Sequence, residues 1–204
     1  MTDIAAIMQL SPVIPVLVIH DAAQARGLGE ALVAGGLRVL EVTLRTPAAM
    51  DAIAAMKEVP GAVVGAGTVV SEDQVTAVKA TGAEFIVSPG LTERLGKAAI
   101  DSGIPYLPGI STAGDIQRGL ELGLTHFKFF PAEASGGAPA LKALAAPFGQ
   151  CRFCPTGGIT AANARDYLAI DPVLCVGGSW MTSGTLSEVE AHAREAAALR
   201  QPGD

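Results

Sequence analysis

The sequence predicts a parallel α/β protein and, within that class, a single (β/α)8 barrel domain spanning residues 1–204. Three observations carry the expectation. Eight short apolar runs recur along the chain, their starts 20 to 26 residues apart. Ala-rich amphipathic segments separate them, with the length of helices rather than of turns. A strand followed each time by a helix needs a parallel neighbour, because the crossover returns the chain to the same end of the sheet. Eight such units favour closure over an open doubly wound sheet, and 204 residues sit at the lower end for these barrels, roughly 200. The open sheet stays as the structural alternative.

Taken in order, the runs are 13–19, 39–44, 63–68, 85–88, 105–110, 126–130, 152–156 and 173–176, each of strand length. The first is broken by Pro15 and is too short to span a bilayer. Helix starts are legible between the runs. Thr46 before Pro47 reads as a cap followed by proline at the first helical position. Ser71 with Gln74, and Ser187 with Glu190, have capping-box spacing. Gly35, Gly82, Gly103 and Gly123 each end a helical pattern and lead into the next strand. The last unit predicts a helix over 187–199. Residues 1–10 and the tail beyond 199 carry no diagnostic pattern, and no linker or charge block marks a domain boundary.

Composition narrows the function classes. The net charge is −6 and the pI near 5.0, which disfavours a nucleic-acid partner, since that role wants a basic surface. Aromatic residues make up only 4%, so the core must be packed from Ala, Val, Ile and Leu. Cys151, Cys154 and Cys175 are too few and too clustered for a secreted disulfide framework. No basic residue precedes an apolar run in residues 1–10, so no signal peptide is read there. A cytoplasmic protein with no membrane partner is the expectation.

Active sites of such barrels lie at the C-terminal ends of the strands, and side chains alternate between faces along a strand. In the second run Val42 and Leu44 share the face suited to the helix layer. Glu41, Thr43 and Arg45 share the other, inside the barrel. In the sixth run Phe127 and Phe129 face outward while His126, Lys128 and Phe130 face inward. Lys57, Lys79, Lys97 and Lys142 fall in helical segments among small or polar residues, whereas Lys128 sits in the apolar stretch His-Phe-Lys-Phe-Phe-Pro. Burial disfavours an ammonium ion, and a neutral amine can form a Schiff base with a carbonyl. The other reading of these residues is a structural ion pair of Lys128 with Glu41 across the barrel. Thr156-Gly157-Gly158 ends the seventh run and Gly177-Gly178-Ser179 follows the eighth. Barrels bind phosphate with these two loops, through backbone N–H groups and a helix N-terminus; the plain alternative is turn glycine.

Several other signals are weak. Gly65-Ala-Gly67 has two glycines of a dinucleotide fingerprint, but Val70 stands at the third place. Cys151 and Cys154 have redox spacing, yet three residues apart on a strand they face opposite sides. His20, His126 and His192 have no ligand spacing, so no metal site is expected. His192 reads as surface, and Trp180 as a pocket wall or a subunit contact.

The segments Glu41-Val-Thr-Leu-Arg-Thr46, Val64-Gly-Ala-Gly-Thr68, Ser88-Pro-Gly-Leu-Thr92, Pro108-Gly-Ile-Ser-Thr112, Phe127-Lys-Phe-Phe-Pro-Ala-Glu133, Phe153-Cys-Pro-Thr-Gly-Gly-Ile159 and Val176-Gly-Gly-Ser-Trp180 closely resemble the family of 2-keto-3-deoxy-6-phosphogluconate (KDPG) and 4-hydroxy-2-oxoglutarate (KHG) aldolases. The likeness runs from the first strand to the eighth. It implies a barrel, a homotrimer, and cofactor-free class I cleavage of KDPG to pyruvate and glyceraldehyde 3-phosphate in the Entner–Doudoroff pathway. By position Lys128 is similar to the Schiff-base lysine and Glu41 to the general acid/base. Arg45 and Thr68 resemble the residues that hold the ketoacid carboxylate, and Pro89 and Phe130 those that shape the pyruvate pocket. Thr156, Gly157, Gly158, Gly178 and Ser179 resemble the polar, phosphate-binding rim. An aldolase for the galactonate epimer or for KHG would use the same lysine and carboxylate. A barrel that only binds a sugar phosphate would have no need of the nucleophile, since fold alone does not establish function.

Overall fold

The computed structural model describes residues 3–199. Short parallel strands alternate with helices along the chain. β1 (Val13–Leu17), a 3-10 turn at Ala22–Gln24 and α2 (Ala25–Ala34) follow a first helix, α1 (Ile4–Gln9). Then come β2 (Val39–Thr43), α3 (Ala49–Lys57), β3 (Val63–Gly67), α4 (Glu72–Thr81), β4 (Phe85–Val87) and α5 (Glu93–Asp101). The second half holds β5 (Tyr106–Leu107), β6 (Gly109–Ile110), α6 (Ala113–Glu121), β7 (His126–Phe129), α7 (Gly137–Ala145), β8 (Arg152–Pro155), α8 (Ala164–Leu168), β9 (Val176–Gly178) and α9 (Leu186–Ala197).

All strand pairs are parallel. Six strands form a curled sheet in the order β5-β4-β3-β2-β1-β9, and three more form a sheet in the order β6-β7-β8. The two sheets meet within the expected fifth run, because Pro108 has no N–H to donate to a ladder and splits that run into β5 and β6. Its carbonyl still accepts from Lys128 N at 2.8 Å. At the other seam single bridges join Phe153 to Val173 and Thr156 to Gly177. The eighth strand lies later than the 173–176 expected for it. It is aligned by β1, with Val13 opposite Val176 and Val176 N donating to Pro12 O.

Alternation along the strands separates two apolar clusters. Leu40, Val42, Ile86, Phe127, Phe129 and Phe153 join the larger cluster, shared with the helices. Ile14, Val39, Phe85, Val87, Leu107, Cys154 and Cys175 form the smaller one on the opposite face. Cys151 belongs to the first and Cys154 to the second, as their spacing on a strand requires. α1 adds Ile7 and Met8 to the smaller cluster. No pattern announced α1, because six residues are too few to display a helical period. Its start is set by Asp3, whose carboxylate accepts from Ala6 N at 2.8 Å.

Several helix ends differ from expectation. Thr46 is not a cap: α3 starts at Ala49 without a side-chain cap, and the Thr46 hydroxyl donates instead to Ile19 O. Ser71 caps α4, accepting from Gln74 N, while Gln74 reaches past it to Val70 N. The box expected at Ser187 and Glu190 is formed two residues earlier by Thr185 and Glu188, and a further box joins Thr112 to Asp115. Gly35 ends α2 as its C-cap, as expected, in the right-handed region, and the left-handed residue is the next one, Gly36, with φ +96°. Gly35 lies where α2 meets α9, and a Cβ there would fall 2.4 Å from Ala193 Cβ.

Candidate active site

Glu41 and Lys128 come from β2 and β7 and meet across the inward face. Both are buried, and Lys128 Nζ donates to Glu41 Oε1 at 2.9 Å. Two buried charges are held together only when their geometry is good, and the two strand registers supply it. Val16 lies opposite Glu41, and Lys128 lies between Gly109 and Cys154. The ammonium also stands 5.4 Å above the Phe130 ring, within the range of a cation–π contact. Phe130 precedes Pro131 through a cis peptide bond.

The other expected residues gather at the same end of the strands, with differences of detail. Thr43 shares the inward face, but its hydroxyl is committed to Leu17 O at 2.8 Å. β2 ends at Thr43; residues 44 and 45 form a turn, and Arg45 is exposed. Thr68, at the end of β3, has φ +60°. A β-branched residue in the left-handed region is a strained backbone, and such strain clusters at functional sites.

Pro89 follows β4 and is half-buried. Its backbone crosses Gly109, where a Cβ would lie 2.3 Å from both the Pro89 carbonyl carbon and oxygen. The turn is tied from behind by the buried Ser88, whose Oγ donates to Gly90 O at 2.7 Å and lies 2.6 Å from the Tyr106 hydroxyl. Burial pushes the Tyr106 phenol up to about 12.

The two glycine pairs differ in role. Gly157 and Gly158 have φ of +100° and +78°, a turn that only glycine adopts readily. Asn163 Nδ2 donates to Gly158 O at 3.1 Å. Gly177 and Gly178 instead leave room for neighbours. A Cβ at Gly177 would meet Thr156 Oγ1 at 2.3 Å, and one at Gly178 would meet the Trp180 ring at 2.0 Å. Thr156 is buried and Ser179 exposed. Neither pair opens directly onto a helix, since α8 starts at Ala164 and α9 at Leu186.

Sequence reasoning missed the tie formed by Ser88 and Tyr106. The only signal was their outward parity behind Pro89. His192 is half-buried rather than a surface residue, and its Nδ1 is buried with no hydrogen-bond partner among the described residues. Among the described residues no group of His, Cys, Asp and Glu is placed to hold a metal ion, and no helix is long and apolar enough to cross a membrane.

A family model described as "Aldolase: KDPG and KHG aldolase" matches residues 4–196. The chain belongs to the KDPG and KHG aldolase family. It is 55% identical over 204 residues to the 2-dehydro-3-deoxy-phosphogluconate aldolase of Zymomonas mobilis, covering 98% of each chain. The structure of the KDPG aldolase of Zymomonas mobilis ZM4 with 3-phosphoglycerate superposes with a TM-score of 0.96, at 55% identity and 98% coverage of both chains. A KDPG aldolase from Legionella pneumophila, with pyruvate captured at low pH as a covalent carbinolamine intermediate, has a TM-score of 0.91 at 44% identity, covering 95% of this chain and 97% of that one.

Proposed function

We propose that this chain is a class I aldolase that cleaves KDPG to pyruvate and glyceraldehyde 3-phosphate, the Entner–Doudoroff reaction. The observation that carries the reading is the buried Lys128–Glu41 contact at 2.9 Å. It puts a nucleophile and a proton acceptor in direct reach, as covalent catalysis requires. The carbinolamine captured in the Legionella relative supports the same covalent route here.

Lys128 Nζ passes a proton to Glu41 and attacks the C2 ketone. The carbinolamine loses water to give an iminium, the electron sink for the next step. Glu41, directly or through one water, takes the C4 hydroxyl proton. The C3–C4 bond breaks, its electron pair forms the enamine, and glyceraldehyde 3-phosphate leaves. Protonation at C3 and hydrolysis return pyruvate and the free amine. One carboxylate serves these transfers in turn.

Arg45 and Thr68 hold the ketoacid carboxylate, Arg45 from its exposed turn with a bidentate geometry that lysine lacks. Pro89 and Phe130 wall the pyruvate pocket. Thr156, Gly157, Gly158, Gly178 and Ser179 form the rim for the phosphate, and the 3-phosphoglycerate bound by the Zymomonas relative supports a phosphorylated substrate. The two sheets close into one (β/α)8 barrel domain, supported by the continuity of β5 and β6 through Pro108 and by the Thr156–Gly177 bridge. The enzyme is a cytoplasmic homotrimer, a reading that rests on the family resemblance.

Borohydride reduction in the presence of pyruvate tests the mechanism. The expected result is one pyruvyl adduct, mapped by mass to Lys128 and lost in Lys128→Ala together with cleavage. An adduct on another lysine would overturn the assignment.

A further inference from the structure

We infer that Gly67 is a positioning residue for Glu41: its bare backbone is the seat across which the carboxylate lies to reach Lys128. The inference rests on the aldolase reading of those two side chains.

β3 runs beside β2 with Glu41 opposite Gly65 and Thr43 opposite Gly67. Gly67 therefore lies two residues nearer the C-terminal end of the strands than Glu41's own level, on the same face. A Cβ built at Gly67 would fall 2.3 Å from Glu41 Oε1, 2.6 Å from its Cγ and 2.8 Å from its Cδ. Non-bonded atoms do not approach so closely. Oε1 is also the oxygen that accepts from Lys128 Nζ at 2.9 Å. The atom that a side chain at position 67 would displace is thus the atom paired with the lysine.

The backbone itself does not demand glycine at this place. Gly67 lies outside the left-handed region, where Gly157 and Gly158 are found, so a side chain is barred by Glu41 and not by φ. Gly65, two residues earlier, meets a different neighbour, since a Cβ there would lie 2.5 Å from the Phe85 ring. One glycine of this pair accommodates the apolar end of the strands and the other accommodates the carboxylate. A methyl group at 67 would turn Glu41 away or push it along Lys128. Misplacement of a reacting group by about 1 Å can cost 10²-fold in rate.

Gly67→Ala is expected to lower kcat for KDPG cleavage by about 10²-fold, with KM changed by less than about threefold, because substrate contacts are kept. The limb of the kcat–pH profile that reports the essential base should shift with it. Glu41→Asp draws the carboxylate back by one methylene and removes the clash. The double variant Gly67→Ala/Glu41→Asp should therefore match Glu41→Asp alone within about threefold, the non-additivity of residues in contact. Folding is followed by circular dichroism and thermal melts. A Gly67→Ala chain that fails to fold while the double variant folds also supports the inference.

Wild-type kcat and pH profile in Gly67→Ala, losses that multiply in the double variant, or failure of both variants to fold would each overturn it. Pyruvate trapping at Lys128, run on each folded variant and on the wild type, separates the two readings. An adduct elsewhere in the wild type overturns the aldolase assignment, whereas an adduct at Lys128 with an unaffected Gly67→Ala overturns only the role of Gly67.

Discussion

The two ends of the parallel strands are built from opposite chemistry on the same inward face. At the N-terminal end Ile14, Val39, Phe85 and Cys175 are closed off by Ile7 and Met8 of α1, all buried. At the C-terminal end the same strands present Glu41, Lys128 and Thr156, with Gly67, Gly109 and Gly177 between them. The first region fills its space with methyl and phenyl groups. The second leaves backbone bare so that polar groups of neighbouring strands can settle into it. The lesson is a division of labour along the strand axis: close apolar packing at one end lets the other carry a buried ion pair and a strained Thr68, both of which oppose stability.

If the division holds, substitutions at the two ends should separate activity from stability. The largest effect is expected at the polar end. Glu41→Gln should cut turnover by about 10²–10⁴-fold while the chain stays folded, measured by KDPG cleavage coupled to pyruvate detection. Near-normal turnover would remove Glu41 from the chemistry. At the apolar end Met8→Ala should lower unfolding free energy by about 2–5 kcal/mol, read from urea denaturation. Its kcat, assayed well below the new melting temperature, should stay within about threefold of wild type. A large loss of kcat there would show that the ends are not separable.

The smallest effect concerns the tie behind Pro89. The Tyr106 phenol is raised by burial from 10.0 to about 12. Its protonated form is favoured in the folded chain, so between pH 10 and 12 the unfolded chain binds fewer protons and stability falls as pH rises. Two units correspond to at most about 2–3 kcal/mol. Tyr106→Phe should flatten this alkaline decline, seen as a smaller drop in melting temperature between pH 10 and 12. An unchanged decline would place the titration elsewhere.

Much of this was legible in the chain. The strands on the eight apolar runs follow the expected order, because each run must bury at least one face and a period of two marks which. The same alternation placed Glu41 and Lys128 inward before any contact was known. It does not extend to Arg45, because β2 stops two residues earlier, and strand ends are set by the neighbours that supply hydrogen bonds. It failed for the glycines because glycine has no side chain to give a pattern. Gly65-Ala-Gly67 looked like an incomplete nucleotide loop, whereas its glycines are spaces filled by Phe85 and Glu41. The cap expected at Thr46 failed for a related reason, since its hydroxyl found a partner in Ile19 O, 27 residues away in the chain.

By itself, then, the sequence determined the parallel α/β class, the order of the elements, the inward row holding Glu41 and Lys128, and the family. These are local properties, written in periodicity, turn residues and motif spacing. Tertiary structure alone decided that one oxygen of Glu41 meets Lys128, that bare backbone at Gly67 receives that oxygen, that Ser88 and Tyr106 brace Pro89, and that α1 seals the opposite end. Each depends on residues far apart in the chain approaching within a few ångströms, a distance that strand register and packing set and that no local pattern records.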